Sequence, residues 1–586
     1  MTLYEAEWRI EQVVKEKSIK LNLSSLNLKG LPPEIVKCKH LTELDLGFNK
    51  ITQIPDALGH LSNLTQLNLC SNQITSIPEV IGQLSNLTQL DLRWNEITKI
   101  PEAIGQLSNL TQLDLFNNKI TQIPKAIGQL SNLTQLELGY NQITQIPEVI
   151  GQLSNLTRLK LSKNKITSIP EVIGQLSNLR ELYLDSNEIT SGMEVIGQLS
   201  NLAVLSLYNN ELTSIPEAVW QLSNLTGLGL GDNQISSIPE AIGQLSNLTQ
   251  LNLENNQISS ISEAIGQLSN LTQLILENNE ITFIPEAMGQ LSNLTWLYLS
   301  RNKITFIPEA MGQLSNLTVL HLSSNKITSI PEALGQLSNL TLLHLYDNEI
   351  TSIPEAIGQL ANLTDLHLGK NQIRAIPDVI GKLSNLVALE LSNNQITSIP
   401  QAIGQLSNLG GLYLDFNQIT SIPEVIGQLN LVWFCIGHNK ITFVPKTLRN
   451  LENLKKLDLG ENPLPIPPEI LQNIESYKPG ELLTLLDSYF LTRDRLEETA
   501  EALNTPPRPR VTDKAIEDIE SVRLHNSQLK KDIAALYAIN ARLAKAAEPD
   551  GYTPTKVAKA ALKAQTSLIA AIKALEKMDD IVASDS

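Results

Sequence analysis

Hydrophobic residues recur along most of the chain at a fixed period. Segments such as Leu41 to Asn63 and Leu87 to Asn109 repeat the order Leu-x-x-Leu-x-Leu-x-x-Asn every 23 residues. The marker asparagine falls at Asn49, Asn72 and Asn95, keeps its step to Asn417, and returns at Asn439 and Asn462. The single 22-residue step lies where Gln428-Leu429-Asn430-Leu431 replaces Gln-Leu-Ser-Asn-Leu. With Leu26 in the marker slot of the first unit, there are twenty repeats. Alternation at period two turns Leu44 and Leu46 inward and Glu43, Asp45 and Gly47 outward, which predicts a short strand. The asparagine bonds to turn backbone, and its copies form a ladder. Ile-Thr-x-Ile-Pro adds two inward residues, and its proline ends extended pairing. Pro-Glu-Ala-Ile-Gly-Gln-Leu predicts one or two helical turns, with proline first and glycine suited to the exit. A single unit buries nothing, so the predicted fold class is α/β, a horseshoe solenoid with one concave parallel sheet. Twenty strands at roughly 4.8 Å give an arc on the order of 90 to 100 Å.

Both ends of the array look capped. Trp8, Ile10, Val13 and Val14 among charges predict an amphipathic capping helix over residues 1–18 that covers the first strand, Ile19 to Leu23. The solenoid takes residues 19–475, closed by Pro463-Leu-Pro-Ile-Pro-Pro-Glu-Ile470. In residues 476–512, a helix over 478–503 precedes a stiff linker, Asn504 to Arg510. Residues 513–586 predict a helical hairpin. Ile519, Val522, Leu529, Ile533, Leu536 and Leu543 mark one arm, Val557, Ala561, Ala564, Leu568, Leu575 and Met578 the other, with Glu548-Pro-Asp-Gly551 as the turn. Asn526 and Asn540 sit on its seam, where polar residues fix register.

The repeated pattern is the leucine-rich-repeat signature. Its 23-residue form, with Ile-Pro and Gly-x-Leu, resembles the intracellular repeats of Ras-pathway scaffold proteins and of bacterial ROCO proteins. The helix at Leu3 to Lys17 running into Ile19-Lys-Leu-Asn-Leu23, and the exit Asn462 to Ile470, are similar to the ROCO proteins in particular. The resemblance covers residues 1–475 and implies the solenoid fold. In ROCO proteins a GTPase with the loop GxxxxGKS/T follows. Here Gly480-Glu-Leu-Leu-Thr-Leu-Leu-Asp487 lacks the second glycine and the lysine, so GTP hydrolysis is not carried over.

Composition narrows the class. At 42% apolar and a net charge of -17, the chain is too apolar for a disordered polyanion. No apolar run approaches the roughly 20 residues that span a bilayer. The amino end lacks the apolar core of a secretory signal, and Cys38, Cys70 and Cys435 are too few and too scattered for a disulfide framework. A soluble cytoplasmic protein is expected. The Lys and Arg clusters of a nucleic-acid or membrane binder are missing. Residues 476–586 hold 16 Lys and Arg against 17 Asp and Glu, so the first 475 carry -16 of the charge. Much of it is the acid after the proline, as in Glu79, Glu102 and Glu148, read as a carboxylate at the positive end of a helix dipole. Asn-Leu-Thr, as at Asn63, matches a glycosylation acceptor but reads as repeat consensus. Gly192 and Met193 interrupt the Ile-Pro pattern, and Trp220, at a glycine place, is expected to repack the void.

Outward places three, five, seven and eight, counted from the first leucine, are free of framework duty. They hold twelve of the 24 aromatic residues: Phe48, Trp94, Phe116, Tyr140, Tyr183, Tyr208, Trp296, Tyr298, Tyr346, Tyr413, Phe416 and Trp433. These four places in nineteen repeats are about an eighth of the chain. Strand propensity favours aromatics, but propensity does not place large rings on a solvated face. Such rings dominate protein interfaces. His321, His344 and His367 share place five of successive strands, between Tyr298 and Glu390. Metal ligands must converge at roughly 2 Å on one ion, which a straight ladder does poorly, so the histidines read as a polar or pH-sensitive contact strip. No nucleophile arrangement and no cofactor motif emerges.

The sequence therefore predicts a non-enzymatic scaffold that captures a protein on its concave face, with a helical tail that self-associates or docks a second partner. A second class is a regulatory component acting with a separately encoded GTPase or other effector. A third is a metal-dependent enzyme at the histidine ladder.

Overall fold

Each repeat contributes a strand of only three residues centred on its second leucine, as in Glu43–Asp45. The computed structural model describes residues 2–464, which belong to two compact units, Met1–Leu340 and Thr341–Ser586. The closing segment from Pro465, the helix at 478–503, the linker and the hairpin of 513–586 lie outside the described residues. In the first unit, fourteen strands run from Lys20–Asn22 to Val319–His321; in the second, six run from Leu342–His344 to Lys456–Asp458. Successive strands within each unit pair in parallel, leucine opposite leucine as in Leu44↔Leu67, Leu228↔Leu251 and Leu366↔Leu389, except where Phe434 takes the central place.

The leucine and isoleucine places form the core. In one repeat Leu67, Leu69, Ile74, Ile77, Ile81, Leu84 and Leu87 are all 5% exposed or less. Burying each side chain contributes roughly 1.5 to 3 kcal/mol. The marker asparagine holds neighbouring turns together. Asn256 Nδ2 donates to Leu230 O at 3.0 Å and Leu253 O at 3.1 Å, and its Oδ1 accepts the Ile235 N–H at 2.9 Å.

The helical turn is a five-residue 3-10 segment, as in Glu102–Gln106. Proline stands before it in extended conformation, and the Pro101 carbonyl accepts the Ile104 N–H at 3.2 Å. The glycine of this segment serves close approach. A Cβ at Gly105 would lie 2.4 Å from Gln129 Oε1 and 2.9 Å from the Ala126 carbonyl oxygen. The acid after the proline acts across repeats: Glu102 accepts the Ala126 N–H at 3.2 Å and Glu263 that of Ala287 at 3.1 Å. It caps the segment that follows, not its own.

The first helix spans Thr2–Glu16. Ala6, Ile10 and Val13 form its buried side, whereas Trp8 and Val14 are exposed, contrary to the expectation that they cover the strand. Arg9 also ties the helix down, donating to Asn22 O at 3.0 Å. At the irregular repeat, Gly192 adopts φ +81° and its missing Cβ would sit 2.0 Å from Ile169 O, while Met193 at the proline place is buried. Trp220 stays half-buried. Among the described residues no helix is long and apolar enough to cross a membrane.

Candidate partner-binding face

All fifteen residues singled out in the sequence lie on the open face of the strands or their exits, and none is buried. Phe48, Trp94, Tyr140, Trp296, Tyr346, Phe416 and Trp433 are 39 to 63% exposed. Phe116, Tyr183, Tyr208, Tyr298, His321, His344, His367 and Tyr413 are half-buried. Exposure alone does not single out this face, since Tyr4, Trp8, Phe283, Phe306 and Phe443 are exposed elsewhere.

The rings group locally. Trp94 meets Phe116 edge-on at 5.7 Å, Phe116 meets Tyr140 at 4.7 Å, and Lys163 Nζ stands 4.2 Å over the Tyr140 ring. Beside them, Arg158 grips Glu181 with two bonds of 2.7 and 2.6 Å, and the Tyr183 hydroxyl donates to the same carboxylate at 3.2 Å. Tyr298 packs edge-on against His321 at 4.7 Å. In the second unit His344 stacks on His367 at 4.0 Å, and Phe416 stacks on His438 at 4.0 Å. Burial lowers the His367 pKa, against the opposing charge of Asp365. Among the described residues no group of three or more His, Cys, Asp or Glu is placed to hold a metal.

Under the aromatic row runs a row of acids. Burial pushes the Asp91 carboxyl up to about 6, helped by Asp114 and Asp45 and opposed by the bond from the Arg93 amide and the Arg93 charge. Burial also raises Asp114 and Glu137. Because the folded pKa of Asp91 exceeds its unfolded value, the native state binds the extra proton, and stability falls as pH rises through about 6. Asp91→Asn is expected to remove that loss, so the melting temperature of the variant should gain on wild type between pH 4 and 7. Parallel melting curves would contradict this.

Two features were missed in the sequence. Place eight is left-handed throughout, with φ of 55° at Phe48, 57° at Trp94, 54° at Tyr140 and 55° at Phe416. The abundance of Asn and Asp there, as at Asn117, Asn209, Asp232 and Asn255, was the available signal. Asparagine tolerates this conformation, whereas a bulky ring is an outlier costing roughly 1 to 2 kcal/mol. Phe48→Asn is therefore expected to stabilise the protein by about 1 kcal/mol, read as a shift in urea midpoint. An unchanged or lower midpoint would refute the strain. The second feature is that every aromatic at place seven is followed one repeat later by glycine: Phe116 by Gly139, Tyr208 by Gly231, Tyr346 by Gly369. The rings lie over those glycines, where a Cβ would stand 3.2, 2.3 and 3.0 Å from the Phe116, Tyr208 and Tyr346 rings respectively.

Along one edge of the sheet a groove is lined by residues such as Asn109, Thr111, Asn132 and Thr134. Their donors are already used: Asn109 Nδ2 donates to Ser85 O and Thr111 Oγ1 to Thr88 O, both at 2.9 Å. The Asn-Leu-Thr triplets are framework, as the repeat pattern suggested.

Both the repeat geometry and the outward face define a leucine-rich-repeat protein. Family models for the leucine rich repeat match residues 20–74, 224–281, 246–304, 269–327, 315–373 and 361–419, and one for a leucine-rich repeat region matches 56–138 and 125–229. The chain belongs to this family. It is similar to a leucine-rich-repeat protein of Leptospira interrogans at 38% identity, covering 69% of this chain and 98% of that one with a TM-score of 0.59. It is also similar to the plant peptide hormone receptor RGFR1, solved in complex with RGF2, at 31% identity, 73% and 79% coverage and a TM-score of 0.57. The Arabidopsis receptor kinase HAESA ectodomain, solved with an extended IDA peptide hormone ligand, shows 30% identity, 78% and 84% coverage and a TM-score of 0.56. No curated protein matches in sequence.

Proposed function

We propose that this protein is a non-enzymatic interaction scaffold whose concave face captures a protein or peptide partner through the rings at places three, five, seven and eight. The observation that carries this is the strain at place eight: Phe48, Trp94, Tyr140 and Phe416 hold left-handed backbone while exposing their rings. Such rings strain the backbone of the free protein while leaving 40 to 63% of their surface exposed, a pattern expected of interface anchors. Two solved relatives that carry bound peptides support the same use of the fold. The histidines serve as a polar contact strip beside the rings.

The Ile-Pro and Gly-x-Leu form of the repeat supports kinship with ROCO and Ras-pathway scaffolds, and so a signalling role in the cytoplasm. On that reading the protein can act with a separately encoded GTPase. The heptad pattern of residues 513–586 supports self-association or a second partner there. Pull-downs with residues 1–475 and 476–586 as separate baits test the assignment. The reading is lost if capture follows residues 476–586 alone, or survives alanine at Tyr183, Tyr208, Trp296 and Tyr298.

A further inference from the structure

One strand carries no side chain on its open face. Its places three, five and seven are Gly227, Gly229 and Gly231, and no other repeat has glycine at more than one outward place. Glycine weakens a strand and packs nothing, so a triple marks a place where something approaches the backbone closely. The three sites differ. Gly231 is filled, because the Tyr208 ring lies across it and its hydroxyl donates to Glu254 Oε1 at 3.1 Å, two repeats away. Gly229 has Ser206 Oγ at 3.0 Å from an added Cβ. Gly227 is open: a Cβ there would meet only the Val204 methyls at 3.7 and 3.8 Å. The result is a notch one strand wide. Gly227–Gly229 backbone forms its floor, Val204 and Ser206 one wall, and Gln250 and Asn252 the other.

The charge around the notch is uncompensated. Asp232 and Glu254 both flank the Tyr208 hydroxyl, and one proton donor cannot serve two carboxylates. Asp185 is held by the Ser162 and Ser206 hydroxyls and the Tyr208 amide. Among the described residues no Lys or Arg lies within ion-pair distance of Asp185, Asp232 or Glu254. In strands nearer the amino end, by contrast, Asp91 and Asp114 pair with Arg93, Glu137 with Lys160 and Glu181 with Arg158.

Resting on the concave-face reading above, we propose that this notch receives an arginine side chain from an extended segment of the partner. The aliphatic stem lies on the glycine floor against Val204. The guanidinium reaches the Tyr208 ring and the Asp232 and Glu254 carboxylates. A planar guanidinium stacks on an aromatic ring and forks onto carboxylates in one geometry, which an ammonium cannot reproduce.

The test uses the full chain and a fluorescent ten-residue peptide of alternating arginine and glycine, at low salt. Peptides with lysine, phenylalanine or glutamate in place of arginine serve for comparison. Gly227→Leu fills the notch, and the ordinary contacts awaiting its Cβ let the strand stay folded, as a melting curve checks. The arginine peptide is expected to bind best, and Gly227→Leu to weaken it roughly tenfold or more. Asp232→Asn with Glu254→Gln should do the same. Equal binding by wild type and Gly227→Leu overturns the proposal, because the peptide then reads only general acidity. Preference for the phenylalanine peptide, or no binding of the arginine peptide, overturns it too. Trp94→Asn with Tyr140→Asn, on other strands, should leave peptide binding intact. Partner capture lost in that variant while the peptide never binds would sink the notch alone; capture unchanged would sink the wider reading.

Discussion

Asn256→Ala is expected to destabilise the protein by about 2 kcal/mol, with the loss concentrated in the repeats on either side. The Asn256 side chain donates to Leu230 O, Leu253 O and Glu254 O at 3.0 to 3.1 Å and accepts from Ile235 N at 2.9 Å. It is 8% exposed, so water cannot readily replace it. Alanine strands the Ile235 amide in the interior, at roughly 1 to 3 kcal/mol, while Leu230 O, Leu253 O and Glu254 O keep donors from Asn233, Asn279 and the Asp232 amide. Asn247→Ala is the control. That residue donates once, to Ser223 O at 2.8 Å, from an exposed position, and its loss should cost less than about 1 kcal/mol. Because repeat arrays open locally, hydrogen exchange over Gly227–Gly229 through Gln273–Ile275 is the sharper readout. Equal effects of the two substitutions would mean the buried ladder adds nothing beyond the exposed one.

The second large effect concerns binding. Trp94→Asn combined with Tyr140→Asn is expected to weaken partner affinity by roughly a thousandfold, since two interface anchors of about 2 kcal/mol each are lost. The fold should hardly notice. Ring contacts at 5.7 and 4.7 Å disappear, costing roughly 0.5 to 1.5 kcal/mol each. Relief of the left-handed strain at the two positions offsets this by roughly 1 to 2 kcal/mol each. Stability within about 1 kcal/mol of wild type, with binding gone, would separate function from fold. Titration of the captured partner against both proteins decides it, and a change in affinity below about tenfold would contradict the assignment.

The fold was legible because its cause is one-dimensional. Leu44, Leu67 and Leu90 must stack in register when the same spacing recurs every 23 residues, and the marker asparagine has no other buried partner than turn backbone. What the pattern hid is what depends on the adjacent repeat. Glu102 looks like a cap of its own helix, yet its carboxylate serves Ala126. Gly105 looks like a helix exit, yet it makes room for Gln129. The amphipathic helix was legible as a helix, but its buried side was not, because small Ala6 takes the place expected for Trp8. For the candidate face, composition located the rings. Place eight needed the backbone, since Trp94 and Asn117 look unlike while sharing one conformation. The pairing of Phe116 with Gly139 and Tyr208 with Gly231 appears only when place seven is compared from repeat to repeat.

The five tryptophans provide the most direct test. Trp94, Trp296 and Trp433 lie on the proposed binding face, while Trp8 lies on the first helix and Trp220 in a 3-10 segment. Hydroxyl-radical footprinting of the full chain, with and without its captured partner, reads all five rings in one sample. Protection of Trp94 and Trp296, with Trp8 and Trp220 oxidised as in the free protein, is the expected result. Protection of Trp8 or Trp220 while Trp94, Trp296 and Trp433 stay reactive would contradict binding on the concave face.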